Sequence, residues 1–235
     1  MQTAFPFGQA DDIARIRDRL AARHGRLRMT ERLEPLGQLV RSMLGSRTRD
    51  TQSWPAFERL TGRYPRWGDL ADAAPEEIEA VIAGVTYADR KARQISRTMR
   101  IIRARRARFD LGFLREWPLG AALAWLESLP GVGPKVGAAT LNFSTLDRRA
   151  FVADTHVLRL LRRYGSLDAR ADAWRANEMV LAATEGWSAF ELIELFALVK
   201  VHGQTVCRFH APRCRDCPLA RDCRHARADR QKPRM

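Results

Sequence analysis

Residues 129–135 read Leu129-Pro130-Gly131-Val132-Gly133-Pro134-Lys135, and the reading of the fold starts there. Leu123, Leu126 and Leu129 close one apolar helical period; Val136, Thr140 and Phe143 open another. Glycine takes backbone angles closed to other residues, so it can end a helix and let the backbone approach a ligand. Pro134 suits the first position of the next helix, where its missing N–H costs nothing. The stretch therefore predicts helix, tight hairpin, helix. Backbone N–H groups at the second helix start suit a phosphate. Lys135 falls in the first turn of that helix, where the positive end of the helix dipole favours the neutral, nucleophilic amine. Taken alone, the same residues also read as a helix–loop–helix with a solvent-facing lysine.

Working outward, helical periods dominate and no alternating apolar run marks a strand. Residues 10–28 carry Ile13, Ile16, Leu20 and Ala21 on one face. Pro35 opens a strongly apolar helix with Leu36, Leu39, Val40, Met43 and Leu44, ending near Gly45-Ser46-Arg47-Thr48-Arg49-Asp50. Trp54, Phe57 and Leu60 mark another helix, stopped by Gly62 and Pro65. Pro75 with Glu76 and Glu77 is a helix start, with Ile78, Val81 and Ile82 inward. Residues 91–108 combine an apolar stripe (Ala92, Ile95, Met99, Ile102) with Lys91 and seven arginines. That run reads either as a solvated basic face or as a phosphate-contacting helix. Pro118 begins the helix that leads into the hairpin. Helices over 157–164, 174–184 and 188–201 follow, then the cysteines, then a basic tail over 224–235 expected to fray.

The chain has 235 residues, enough for one large or two small domains. No apolar stretch approaches the roughly 20 residues that span a bilayer, and residues 1–6 lack a secretory pattern. The expectation is a soluble, cytoplasmic protein with no membrane partner. The net charge of +14, from 41 Lys+Arg against 27 Asp+Glu, favours a polyanionic partner. Heavy use of arginine and alanine could also reflect a basic, GC-rich genome.

Two further features bear on Lys135. Asp154 precedes a helix and can serve as its N-cap. It also follows Lys135 by 19 residues, room for one helix and a return. An amine and a carboxylate facing one cavity is the pairing needed to attack a sugar C1′ and manage the leaving base. The four cysteines follow Cys207-x6-Cys214-x2-Cys217-x5-Cys223. Four thiolates can bind zinc or an iron–sulfur cluster. Zinc ribbons usually pair two Cys-x2-Cys knuckles; here there is one, and the uneven spacing favours a 4Fe–4S cluster.

LPGVGPK, VADTHVLR and the cysteine comb, in this order, resemble the endonuclease III family of helix–hairpin–helix DNA glycosylases. PLGQLVRSMLGSRTRD, GVTYADRKARQI and VHGQTVC extend the resemblance from about Pro35 to Cys223. It implies an all-α, two-domain fold: a six-helix barrel over 30–149, and an iron–sulfur domain joining 1–29 to 150–225, with a tail over 226–235. It implies that Lys135 is the Schiff-base lysine and Asp154 the catalytic aspartate. Leu129, Pro130, Gly131, Val132 and Gly133 become the DNA-binding hairpin, with His156 beside DNA. Cys207, Cys214, Cys217 and Cys223 become the cluster ligands. Arg47 stands where family members fill the space left by a flipped base. The implied partner is double-stranded DNA with a damaged base, bound by a monomer. The implied activity is base excision with β-elimination at damaged pyrimidines. The alternatives are a monofunctional or mismatch-specific glycosylase and a non-catalytic DNA-binding module. Gly137-Ala138 and Gln204-Thr205-Val206 depart from the family pattern and bear on substrate choice.

Overall fold

The computed structural model describes residues 9–27 and 31–230, and among them every regular element is helical. The chain divides into two compact units, one over 31–148 and one joining the N-terminal segment to 149–235.

The 31–148 unit begins and ends at one place, where the Thr145 amide donates to the Leu33 carbonyl at 3.0 Å. Its centre is α2 (Pro35–Gly45), buried on nearly every side and packed on α8 (Pro134–Phe143), α3 (Asp50–Arg63) and α6 (Ala88–Arg106). Glu34 caps α2 by accepting from the amides of Leu36 and Gly37, and Pro35 takes the first position. Between α3 and α6 run α4 (Trp67–Asp72) and α5 (Pro75–Val81); α7 (Leu119–Glu127) leads into the hairpin. The sequence reading omits α4, whose single turn and a half carries too few apolar residues to show a period. It also starts α3 at Trp54, whereas the inward face is Ser53, Ala56, Phe57 and Leu60, and Trp54 is 43% exposed.

The other unit holds α1 (Gln9–His24), α9 (Thr155–Tyr164), α10 (Ala173–Ala183), α11 (Ala189–Thr205) and α12 (Arg224–Arg230). Helix α11 packs on α1 and α9, bringing Leu192, Leu195 and Val199 into a core with Ile13, Ile16 and Leu20. A reciprocal Ser188–Glu191 capping box starts α11. The expected frayed tail is a correction. Residues 224–230 form α12, which packs on α9 and buries Ala226; the remainder of the tail, like Arg28, lies outside the described residues.

Candidate active site and cysteine centre

The hairpin is a product of α6 as much as of its own sequence. Gly131 has φ 79°, and a Cβ there would meet the Gln94 side chain at 2.7 Å. Only glycine satisfies both demands. Thr98 donates its hydroxyl to the Pro130 carbonyl at 2.9 Å. Gln94 and Thr98 both belong to α6, so that helix holds the turn from below. Gly133 differs: its backbone is extended, with φ −110° and ψ −176°, and nothing lies within 4 Å of an added Cβ. It contributes no side-chain cap to α8, which leaves the helix start unobstructed. The side chains of Leu129 and Val132 are buried, so within the expected DNA-binding hairpin these two can offer only backbone. Lys135 is half-buried in the first turn of α8, as expected.

The turn after α2 is held from inside. Lys91, expected on a basic face, is instead 5% exposed. Its Nζ donates to the Leu44 carbonyl at 2.7 Å, the Ser46 carbonyl at 2.6 Å and Thr48 Oγ1 at 2.9 Å. Burial above all, then the charges of Lys135 and Arg90, push this amine down to about 8. Between the gripped residues stands Arg47, exposed, with φ 55°. A left-handed arginine costs about 1–2 kcal/mol relative to an ordinary conformation. Arg41 lies under the same turn, where a Cβ on Gly45 would meet its Nη1 at 2.9 Å. Beside the turn, Tyr87 is also left-handed and 49% exposed, with the Arg90 guanidinium 4.5 Å from its ring centre.

The basic run of α6 is largely consumed by such tethers. Arg100 donates to the Ala71 and Ala73 carbonyls, Arg103 pairs with Asp72, Arg105 reaches Ser128 and Arg106 covers the Phe113 ring. The reading as one continuous phosphate-contacting face is therefore corrected.

In the other unit, Asp154 caps α9. Its Oδ1 accepts from the His156 amide at 2.8 Å and the Val157 amide at 3.0 Å. His156 is drawn into the α9–α11 junction: Arg159 Nη2 lies 2.9 Å from its Nδ1 and also donates to the Gly203 carbonyl. A Cβ on Gly203 would fall 2.6 Å from His156 Nδ1, so a glycine is needed for this approach. Burial lowers the His156 pKa; the charge of Asp154 opposes this, while Arg159 and Lys200 reinforce it. Lys135 and Asp154 thus stand in different units, each at the first turn of a helix.

Four half-exposed free thiols follow α11. Their loop is ordered by the Cys207 amide donating to the His202 carbonyl at 2.8 Å, the Arg213 amide to Val206, and the Cys223 amide to Leu219. Two groups reach sulfur from the neighbouring helices: Arg163 Nη1 donates to Cys207 Sγ at 3.4 Å, and His202 Nε2 lies 3.3 Å from Cys217 Sγ. His202 is fully buried, and its Nδ1 lies 3.0 Å from His24 Nε2. Burial pushes the Cys217 thiol up to about 11, and the charges of Cys207, Cys223 and Cys214 push the same way. Among the described residues no three His, Cys, Asp or Glu groups converge on a single ion position. Four free thiols within one loop are the donor set that a 4Fe–4S cluster takes, one thiolate to each iron.

Sequence reasoning missed Lys91, Gln94, Thr98, Arg163 and His202. Lys91 could have been found: it continues the apolar stripe of α6 four residues before Ile95. His202 likewise sits three residues after Val199 on the inward face of α11.

Residues 40–185 match the family model described as HhH-GPD superfamily base excision DNA repair protein. Endonuclease III of Synechocystis sp. is 30% identical over 196 residues, covering 83% of this chain and 83% of that protein. Endonuclease III homolog 1, chloroplastic, of Arabidopsis thaliana is 27% identical over 199 residues, covering 83% of this chain and 50% of that protein. The chain spans about half the length of the Arabidopsis relatives it matches. A solved structure of a trapped endonuclease III–DNA covalent intermediate has the same fold, with TM-score 0.76 and 20% identity over 94% of this chain and 99% of that one.

Proposed function

Because the chain belongs to the endonuclease III-like family of the HhH-GPD superfamily of base excision DNA repair proteins, we propose that it is a DNA N-glycosylase with abasic-site lyase activity. Its substrate is a damaged or modified pyrimidine in duplex DNA, which it binds as a monomer. The observation that carries this reading is Lys135 in the first turn of α8, directly behind a Gly131 turn braced by α6.

The backbone of the hairpin and the open start of α8 take the DNA phosphates. The target nucleotide leaves the stack, at a cost of a few kcal/mol, and Arg47 enters the space it vacates. Tyr87 offers a stacking face beside it. The Lys135 amine attacks C1′ as the C1′–N bond breaks, and the base departs with a proton. The sugar ring opens to a Schiff base, a proton leaves C2′, and the C3′–O bond breaks, nicking the strand 3′ to the lesion. Water then releases the lysine. Asp154 stabilises positive charge on the sugar and assists deprotonation. Cys207, Cys214, Cys217 and Cys223 would hold a 4Fe–4S cluster, which supplies a rigid cross-link for the loop that carries Arg208, Arg213, Arg215 and Arg221.

Borohydride trapping tests the lyase reading. Incubation with a duplex panel bearing thymine glycol, dihydrouracil, uracil, a G·T mismatch or an abasic site should yield a covalent adduct and a nick with at least one oxidised pyrimidine. Lys135→Gln should keep duplex binding and lose the adduct, with nicking reduced by about a thousandfold or more. Base release without any adduct would convert the assignment to a monofunctional glycosylase. Binding without base release from any duplex would leave only a DNA-binding module.

A further inference from the structure

We propose that Lys91 is a positioning residue that sets the shape of the 45–49 turn and thereby the aim of Arg47. The inference rests on the reading of Arg47 given above for its DNA half, while its structural half stands on the turn alone.

Three observations carry it. First, the Lys91 ammonium has three donors, and three oxygens receive them at 2.6–2.9 Å: Leu44 O, Ser46 O and Thr48 Oγ1. These acceptors all belong to one five-residue stretch, and two of them, Ser46 and Thr48, flank Arg47. Second, Arg47 lies in the left-handed region, with φ 55°, where an arginine does not rest unaided. The grip on both neighbours is what holds it there. The turn's own bonds, Thr48 N to Gly45 O at 3.3 Å and Thr48 Oγ1 to Ser46 O at 3.4 Å, are long. Thr48 Oγ1 also accepts from the Thr86 amide at 3.2 Å, tying the turn to the approach of α6. Third, Lys91, Gln94 and Thr98 follow one another at i, i+3 and i+7, one face of a helix. Gln94 and Thr98 hold the Gly131 hairpin; Lys91 holds the 45–49 turn. One face of α6 therefore aligns the two segments assigned to DNA, and a shift of Lys91 would move the turn against the hairpin.

Lys91→Met keeps the length of the side chain and removes all three bonds. The variant, checked for folding by circular dichroism, should be nicked by trypsin after Arg47 or Arg49 about tenfold faster than the wild type, with sites outside the turn unchanged. Its affinity for a duplex carrying an abasic-site analogue should fall about tenfold while affinity for undamaged duplex stays within about twofold. Arg47→Ala should cost similar lesion affinity in the wild type and nothing further in the Lys91→Met background. Thr48→Val, which removes one acceptor and leaves α6 intact, should move the same readouts in the same direction by less; it carries the test if Lys91→Met does not fold. Unchanged nicking in both variants would overturn the grip on the turn. Fully additive losses from Lys91→Met and Arg47→Ala would overturn the link to Arg47. A wild-type affinity indifferent to Arg47→Ala would instead remove the DNA role of Arg47 and leave the nicking result to judge Lys91.

Discussion

Gly131 carries two constraints at once, a φ of 79° and the Gln94 side chain 2.7 Å from where a Cβ would stand. Gly131→Ala should therefore lower stability by roughly 1–3 kcal/mol, read as a shift in the urea midpoint, and weaken DNA binding as the hairpin moves off α6. Gly133→Ala meets no neighbour and no forbidden angle, so its cost should be about 1 kcal/mol or less. Its effect should fall on DNA affinity, because a methyl group then stands at the open start of α8. Two glycines that read alike in the motif thus separate by measurement. Lys91 offers a pH test. Its amine is held at about 8 in the fold against 10.5 in an unfolded chain, so the unfolded state binds more protons between those values. The ammonium grips the turn at a desolvation cost, and that cost disappears as pH rises from about 8 to 10.5. Urea titrations should show the stability of the wild type relative to Lys91→Met rising across that window.

At the scale of the element, α9 begins on a carboxylate with two assignments. Asp154 caps the helix through Oδ1, and the proposed chemistry asks the same group to serve the sugar. Asparagine caps as well as aspartate. Asp154→Asn should therefore leave stability within about 0.5 kcal/mol of the wild type while base excision falls by about a hundredfold or more. Asp154→Ala should lose about 1 kcal/mol of stability as well. Equal catalytic and stability losses in both variants would reduce Asp154 to a cap. The elements differ in how openly they announce themselves. The apolar period of α2 and the proline starts of α2, α5 and α8 were legible in the sequence because each rests on local spacing and a local dihedral. Trp54 was misread because a tryptophan counts as apolar wherever it stands, and only packing shows that Ser53 and Ala56 join Phe57 and Leu60 on the inward face. Helix α12 was missed because Ala226, its one buried side chain among the described residues, gains its helical reason from the α9 surface it meets.

At the scale of the whole molecule, the cysteine loop ties residues far apart in the chain. Arg163 and His202 approach sulfur from α9 and α11, and His24 backs His202 from α1. Serine at Cys217 should abolish the visible absorbance of the iron–sulfur cluster and open residues 207–223 to trypsin at their arginines. Residues 31–148, a unit with its own core, should keep their protease resistance. A coloured, protected Cys217→Ser protein would show that Cys217 is not a required ligand, and a colourless wild type would show that the cluster assignment is wrong. What the sequence by itself determined is the all-helical fold, the helix–hairpin–helix, the order of Lys135, Asp154 and the four cysteines, and through them the family. All of these are written in short-range spacing. Tertiary structure alone decided that Gly131 is constrained and Gly133 is not. It also decided that most of the basic run of α6 is spent on tethers and that Lys91 is buried under Arg47. A side chain's charge is local information, whereas its desolvation and its partners belong to whichever distant segment packs against it. That is why the hairpin could be read from seven residues and the lysine that aligns its neighbour could not.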